Sequence, residues 1–292
     1  MFVAVRKLGE FVLRGHFQAA AAALVFSVLP ILSTISLVIL SFVTLRKGAT
    51  RGLPVLLVIL AINLGLDIKT VDFAFFFAVG LAVTVWLFSA SLHQSASWSK
   101  TLQYAGLLGS ICICAFYLVY PEPVQFWGNF YQSLLALSSK AVTDKATIAS
   151  MAKVFQVLIP ISTGYWVAII LLFAVIKVFL ARWWQASLFN PAGLGNELRA
   201  IRISPWYGLL AVSSALIAAT GWTFMWNVAL ALALPLILAG ISLVHTCLER
   251  LKYSYIAVLI FYIMLIIGSY IWLLIMAAVA LVDSVFDFRK RL

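Results

Sequence analysis

The apolar residues of this chain come in unbroken runs of about twenty to thirty positions, the first at Phe17–Leu45 and the last at Tyr253–Val282. Roughly 20 such residues in a row are what one helix needs to cross a bilayer. Strands of a membrane barrel would instead alternate apolar and polar residues over about ten positions, so that fold is excluded. With 65% hydrophobic and only 10% charged residues in 292, the chain also cannot cover the surface of a soluble globule. The fold expected is all-α: a polytopic helical membrane protein, one integral domain over residues 1–292, with about eight to ten spans or half-spans and a short hairpin at each end.

Within the first run, Pro30 removes a helical hydrogen bond and crowds the preceding turn, so two short helices at 12–28 and 31–45 compete with one kinked helix. Charge favours the pair. Arg6, Lys7 and Arg14 precede the run and Arg46, Lys47 and Arg51 follow it, so both ends belong on the same, cytoplasmic side. The run has no convincing processing site, and it is read as a retained anchor rather than a signal peptide. Further spans are expected at 53–66, 72–92, 102–119, 160–181, 206–220 and 223–245. The span ending at 181 carries Lys177, Arg182, Trp183 and Trp184, side chains that suit headgroup level. Gly268, Ser269 and the basic tail make the last run a second hairpin.

Two stretches break the apolar pattern. Residues 120–158 carry Phe126, Phe130, Leu134 and Leu137 at helical spacing and read as amphipathic helix at the outer interface. Residues 182–204 read as a cytoplasmic loop holding a short amphipathic helix, Glu197–Ile203, with Arg199 and Arg202 directed at phospholipid headgroups or a partner. In this threading the whole net charge of +11 falls on the cytoplasmic face. That is the positive-inside pattern of a multi-pass bacterial inner-membrane protein with both termini inside, and it points to membrane lipid rather than nucleic acid as the partner of the basic residues.

No phosphate-binding GxxxxGK[ST], no HExxH, no GxSxG and no paired CxxC occurs, so neither ATP hydrolysis nor a recognisable enzyme chemistry is expected, and no cofactor or metal. The histidines His16, His93 and His245 lie near span boundaries and read as interfacial side chains, and Cys112, Cys114 and Cys247 as small hydrophobes. Polar residues inside spans are the candidates that remain, because each needs a partner in hydrocarbon. Asn63 and Asp67 stand one helical turn apart at an outer helix end and Asp72 opens the next span. Asn227 lies beside Trp222 and Trp226 at similar depth. Together these six form a candidate ligand site; the alternative is that Asn63 and Asn227 only join or cap helices. Ala19 and Ala23 share one small-residue face on the first helix, a surface that suits close approach by a membrane coupling protein or a second copy.

The Pro30 hairpin with Leu45-Arg46-Lys47-Gly48, the segment Ala181-Arg-Trp-Trp-Gln-Ala-Ser-Leu-Phe-Asn-Pro191 and the ending Asp283-Ser-Val-Phe-Asp-Phe-Arg-Lys-Arg291 resemble the YybS-like family of predicted bacterial membrane proteins. That family is distantly similar to the substrate-binding S components of energy-coupling-factor transporters. The resemblance implies a helical solute-binding or uptake subunit, its substrate unnamed, whose first helix docks a coupling partner through the Ala19/Ala23 face. Set against it is a non-transporting envelope scaffold or assembly factor, favoured by the lack of acidic residues deep in the spans.

Overall fold

The computed structural model describes residues 2–28, 32–66, 73–141, 144–190, 193–251 and 255–291. Pro30, Asp67 and Asp72 lie outside the described residues. Helix makes up 92% of the structure and no strand occurs among the described residues, as expected where apolar segments must close their backbone hydrogen bonds locally.

The helices are α1 (Phe2–Arg14), α2 (His16–Val28), α3 (Ser33–Lys47), α4 (Ala49–Leu66), α5 (Phe73–Ser95), α6 (Trp98–Val119), α7 (Pro123–Ala141), α8 (Lys145–Leu158), α9 (Ser162–Phe189), α10 (Gly193–Arg199), α11 (Pro205–Ala219), α12 (Thr223–Arg250), α13 (Tyr255–Ile267), α14 (Ser269–Phe286) and α15 (Phe288–Arg291). Local chemistry sets several boundaries. Ser97 caps α6 by accepting from Lys100 N–H, Asp144 caps α8 through Ala146 and Thr147, and Pro205 opens α11. Gly48 separates α3 from α4 at φ +88, where a side chain would be strained and would also meet His93 Nε2 at 3.3 Å.

Among the described residues, four helical stretches are long and apolar enough to cross a membrane: α5, α6, the near-continuous Lys145–Phe189 that includes α8 and α9, and α12. A fifth exists if α13 and α14, which meet at 118°, are one broken span. Four to five full-length helices therefore stand against the eight to ten spans or half-spans expected. The difference lies in helices such as α2, α11 and α4, of 13, 15 and 18 residues. At 1.5 Å per residue these reach about 20 to 27 Å, short of a hydrocarbon core of about 30 Å. These dimensions fit a multi-pass membrane protein.

Two boundaries move. The helix read as ending at 181 runs on to Phe189, so Arg182, Trp183 and Trp184 belong to α9 and the loop expected at 182–204 begins two turns later. The segment Phe2–Arg14, read only as a charged flank, forms the amphipathic helix α1.

Packing is organised on α9 and α12. α9 meets α3, α5, α6 and α12, while α12 meets α6, α9, α11 and α14; α2, α3 and α4 form a cluster beside α5. Close approach depends on small residues. A Cβ on Gly240 of α12 would lie 2.7 Å from the Met276 carbonyl carbon of α14, and one on Gly109 of α6 would lie 2.8 Å from a Leu171 methyl of α9. α2 packs against α3 and α4, and Ala19 and Ala23 are fully buried there at 0% exposure. That face is occupied within the chain.

Contacts also define the two ends of the bundle. At the basic end, Lys47 donates to the Leu13 carbonyl and Arg51 meets His16, which makes α2 and α3 antiparallel. Arg46 lies over the Phe189 ring and Phe42 stacks on Trp184, so α3 and the end of α9 share that level. The opposite end gathers Tyr117, Trp127, Gly164 and Asn227.

Candidate functional site

Of the six residues of the expected ligand site, Asp67 and Asp72 lie outside the described residues, and the four that are described do not come together. Asn227 is fully buried at 0% exposure, and its carboxamide is used entirely within the protein. Its Oδ1 accepts from Gly164 N–H at 2.6 Å, and its Nδ2 donates to Tyr117 Oη and the Pro160 carbonyl at 3.0 Å and to the Thr223 carbonyl at 2.9 Å. Gly164 allows this: a Cβ there would stand 2.5 Å from Asn227 Cα. The same junction holds α7, through Trp127 Nε1 to Thr163 Oγ1 at 2.8 Å and Ser162 Oγ to Tyr131 Oη at 3.0 Å. Trp222 and Trp226 lie outside it, 54% and 45% exposed, as interfacial indoles would.

Asn63 sits elsewhere, on α4, whose neighbours are α2, α3 and α5. It lines a cavity of about 360 Å³ bounded by Ser27 of α2, Ser33, Thr34 and Ser36 of α3, Phe77, Ala78 and Leu81 of α5, and Phe173 and Lys177 of α9. The cavity is partly open, and hydroxyl, amide and ammonium groups share its walls with apolar side chains. Asn63 Nδ2 donates only to the Ile59 carbonyl one turn back, at 2.8 Å, and Ser36 Oγ to the Ser33 carbonyl at 2.6 Å. Ser27 Oγ is buried with no hydrogen-bond partner, a state that costs about 1–3 kcal/mol unless water or a solute relieves it.

Lys177 is the residue that sequence reading misplaced. It does not mark the end of a span: α9 extends about 22 Å before it and about 18 Å beyond it. Its ammonium lies 5.4 Å from the centroid of Phe173, one turn nearer the start of α9, so the side chain reaches away from the basic end. No carboxylate pairs with it, and none lines the cavity, among the described residues. The serines that accompany it were legible as a cluster flanking Pro30 in the sequence, a signal passed over because hydroxyls in helices commonly bond their own backbone.

The basic end is polar but self-satisfied. Arg202 pairs with Asp287 at 2.9 Å and donates to the Asp283 and Ser284 carbonyls. Arg199 pairs with Glu249 at 2.6 Å and Arg182 with Glu197. Arg289 and Asp283 pair at 3.2 Å with side chains 11% and 3% exposed, and Arg289 also donates to the Arg199 and Ile201 carbonyls. These bonds fasten the 193–204 segment to the ends of α12 and α14. The Asp287 carboxyl is held below the usual carboxylate range, first by its hydrogen bond to Lys290.

A larger groove of about 920 Å³ runs between α9, α12 and α13, lined by Leu102, Leu172, Phe179 and Leu238 among others. Its polar side chains already serve one another, as His245 Nε2 with Tyr262 Oη at 2.9 Å and Arg199 with Glu249. Its wall α13 has no buried residue, so this is apolar space against a loosely held helix, suited to lipid chains. Among the described residues no three His, Cys, Asp or Glu side chains group to hold a metal.

Comparison with protein-family models, with curated proteins and with solved structures finds no match to this chain.

Proposed function

We propose that the protein is a membrane-embedded solute-binding or uptake subunit of the bacterial inner membrane, and that its site is the cavity between α2, α3, α4, α5 and α9. One observation carries the reading: a polar cavity of about 360 Å³, with Asn63, Lys177 and an unpartnered Ser27 hydroxyl on its walls, lies inside apolar helices. Space of that size falls at the small end of ligand pockets, and underused polar groups in hydrocarbon are what a bound polar molecule or water would satisfy. The resemblance to transporter S components points to the same class.

In this reading both termini are cytoplasmic and α2 with α3 re-enters from the basic, cytoplasmic end. Each helix of the pair is too short to span, and Ser27 of α2 and Ser33 of α3 share a cavity with Lys177, inside the membrane. α13 and α14 form a second bent pair. Ala19 and Ala23 are covered by α3 and α4, so a coupling protein or second copy would dock on another face, with membrane lipid covering the rest.

Native mass spectrometry of gently purified protein tests the proposal. A co-purified small solute, lost in Asn63→Ala at unchanged melting temperature, is the expected result. Lower stability with no ligand in a metabolite screen would instead favour the envelope scaffold.

A further inference from the structure

Resting on that reading, we infer that the solute carries a negative charge, a carboxylate or phosphate group held by Lys177 in the cavity between α2, α3, α4, α5 and α9. Among the described residues the lysine is the only ionisable side chain lining this cavity. Lys177 is half-buried, and an ammonium at hydrocarbon depth is costly unless a counter-charge or water meets it. Lysines near a helix end commonly relieve that cost by extending to the headgroups. Lys177 does the reverse, since its Nζ lies over Phe173 on the far side from the basic end. Phe173 supplies a ring face but no counter-charge.

What surrounds the ammonium also suits an anion. The first turn of α3 borders the cavity with Ser33, Thr34 and Ser36, and no side chain caps that helix at Leu32. A helix start presents N–H groups and the positive end of the helix dipole. Among the described residues Ser27 Oγ adds a buried hydroxyl with no acceptor, and Asn63 an amide whose Nδ2 bonds its own helix and whose Oδ1 meets no donor. Hydroxyl and N–H donors beside one cation, with no acidic residue lining the cavity among the described residues, form a site for a single anionic group. The volume admits a small organic acid or phosphoester.

Charged thiol reagents test this on the full-length protein in membranes. Cys112, Cys114 and Cys247 are replaced by alanine and a reporter thiol is placed on the cavity wall by Ala78→Cys. The anionic probe is sulfonatoethyl methanethiosulfonate and the cationic probe is its trimethylammonium-ethyl analogue, each rate being divided by that for a free thiol. The anionic reagent is expected to react faster by about tenfold or more. Lys177→Gln should bring the ratio close to one and Lys177→Arg should preserve it. Equal rates, or preference for the cation, in the Ala78→Cys protein overturn the anion assignment whatever the lysine variants do, and leave the solute cavity standing. If neither reagent reacts while the denatured protein labels fully, the cavity is closed to solutes and both the assignment and the function proposed above fall.

Discussion

At Asn227 the buried polar groups have protein partners, whereas around Asn63 and Lys177 a hydroxyl, an amide oxygen and an ammonium border shared space with no such partner among the described residues. Both clusters lie in one bundle and use the same residue types. The difference is the neighbour: Gly164 lets α9 close onto Asn227, while α3 begins opposite Lys177 and leaves a gap. A satisfied amide between helices is a strut, and an unsatisfied set around a void is a site. If that contrast is right, variants in the two places should affect different properties.

The largest loss is expected at the strut. Gly164→Ala would force a methyl against the Asn227 backbone and should cost about 3 kcal/mol or more, seen as poor accumulation and a lower melting temperature in detergent. Asn227→Ala comes next, at about 1–3 kcal/mol, because it strands the Gly164 N–H in a buried place. A melting temperature unchanged by Asn227→Ala would erase the distinction between the clusters. Asn63→Ala should shift stability by no more than about 0.5 kcal/mol, since the amide's one protein bond is to its own helix. Lys177→Met should be the mildest, with the melting temperature level or slightly raised as an unpaired charge leaves the interior. A marked loss on Lys177→Met would recast the lysine as a structural member.

The contrast also explains what the sequence made legible. Apolar run length was enough for the helical class. Asn63 stood out because an amide inside a span is rare. Lys177 did not, because the apolar run stops at Ala181 beside Arg182, Trp183 and Trp184, and nothing in composition says that the helix continues to Phe189. Its depth is a property of the whole bundle. Asn227 misled for the opposite reason: Trp222 and Trp226 suggested a wet aromatic pocket, but they are exposed while Gly164, distant in sequence, seals the amide. Helix α1 was within reach, since Val5, Leu8 and Val12 follow helical spacing, yet Arg6, Lys7 and Arg14 drew the reading to charge alone. Short helices such as α2 and α11 were counted as spans because hydropathy registers apolarity more readily than reach.

The central claim is that the Asn63–Lys177 cavity is occupied space rather than unfilled packing. A density map of the protein purified in lipid nanodiscs, without added ligands, tests it directly. The account predicts non-protein density, water or solute, within hydrogen-bond distance of Lys177 Nζ, the Asn63 amide and Ser27 Oγ, with the Asn227 junction dry. Protein side chains closing the gap, with Ser27 and Lys177 bonded to their own neighbours, would contradict it.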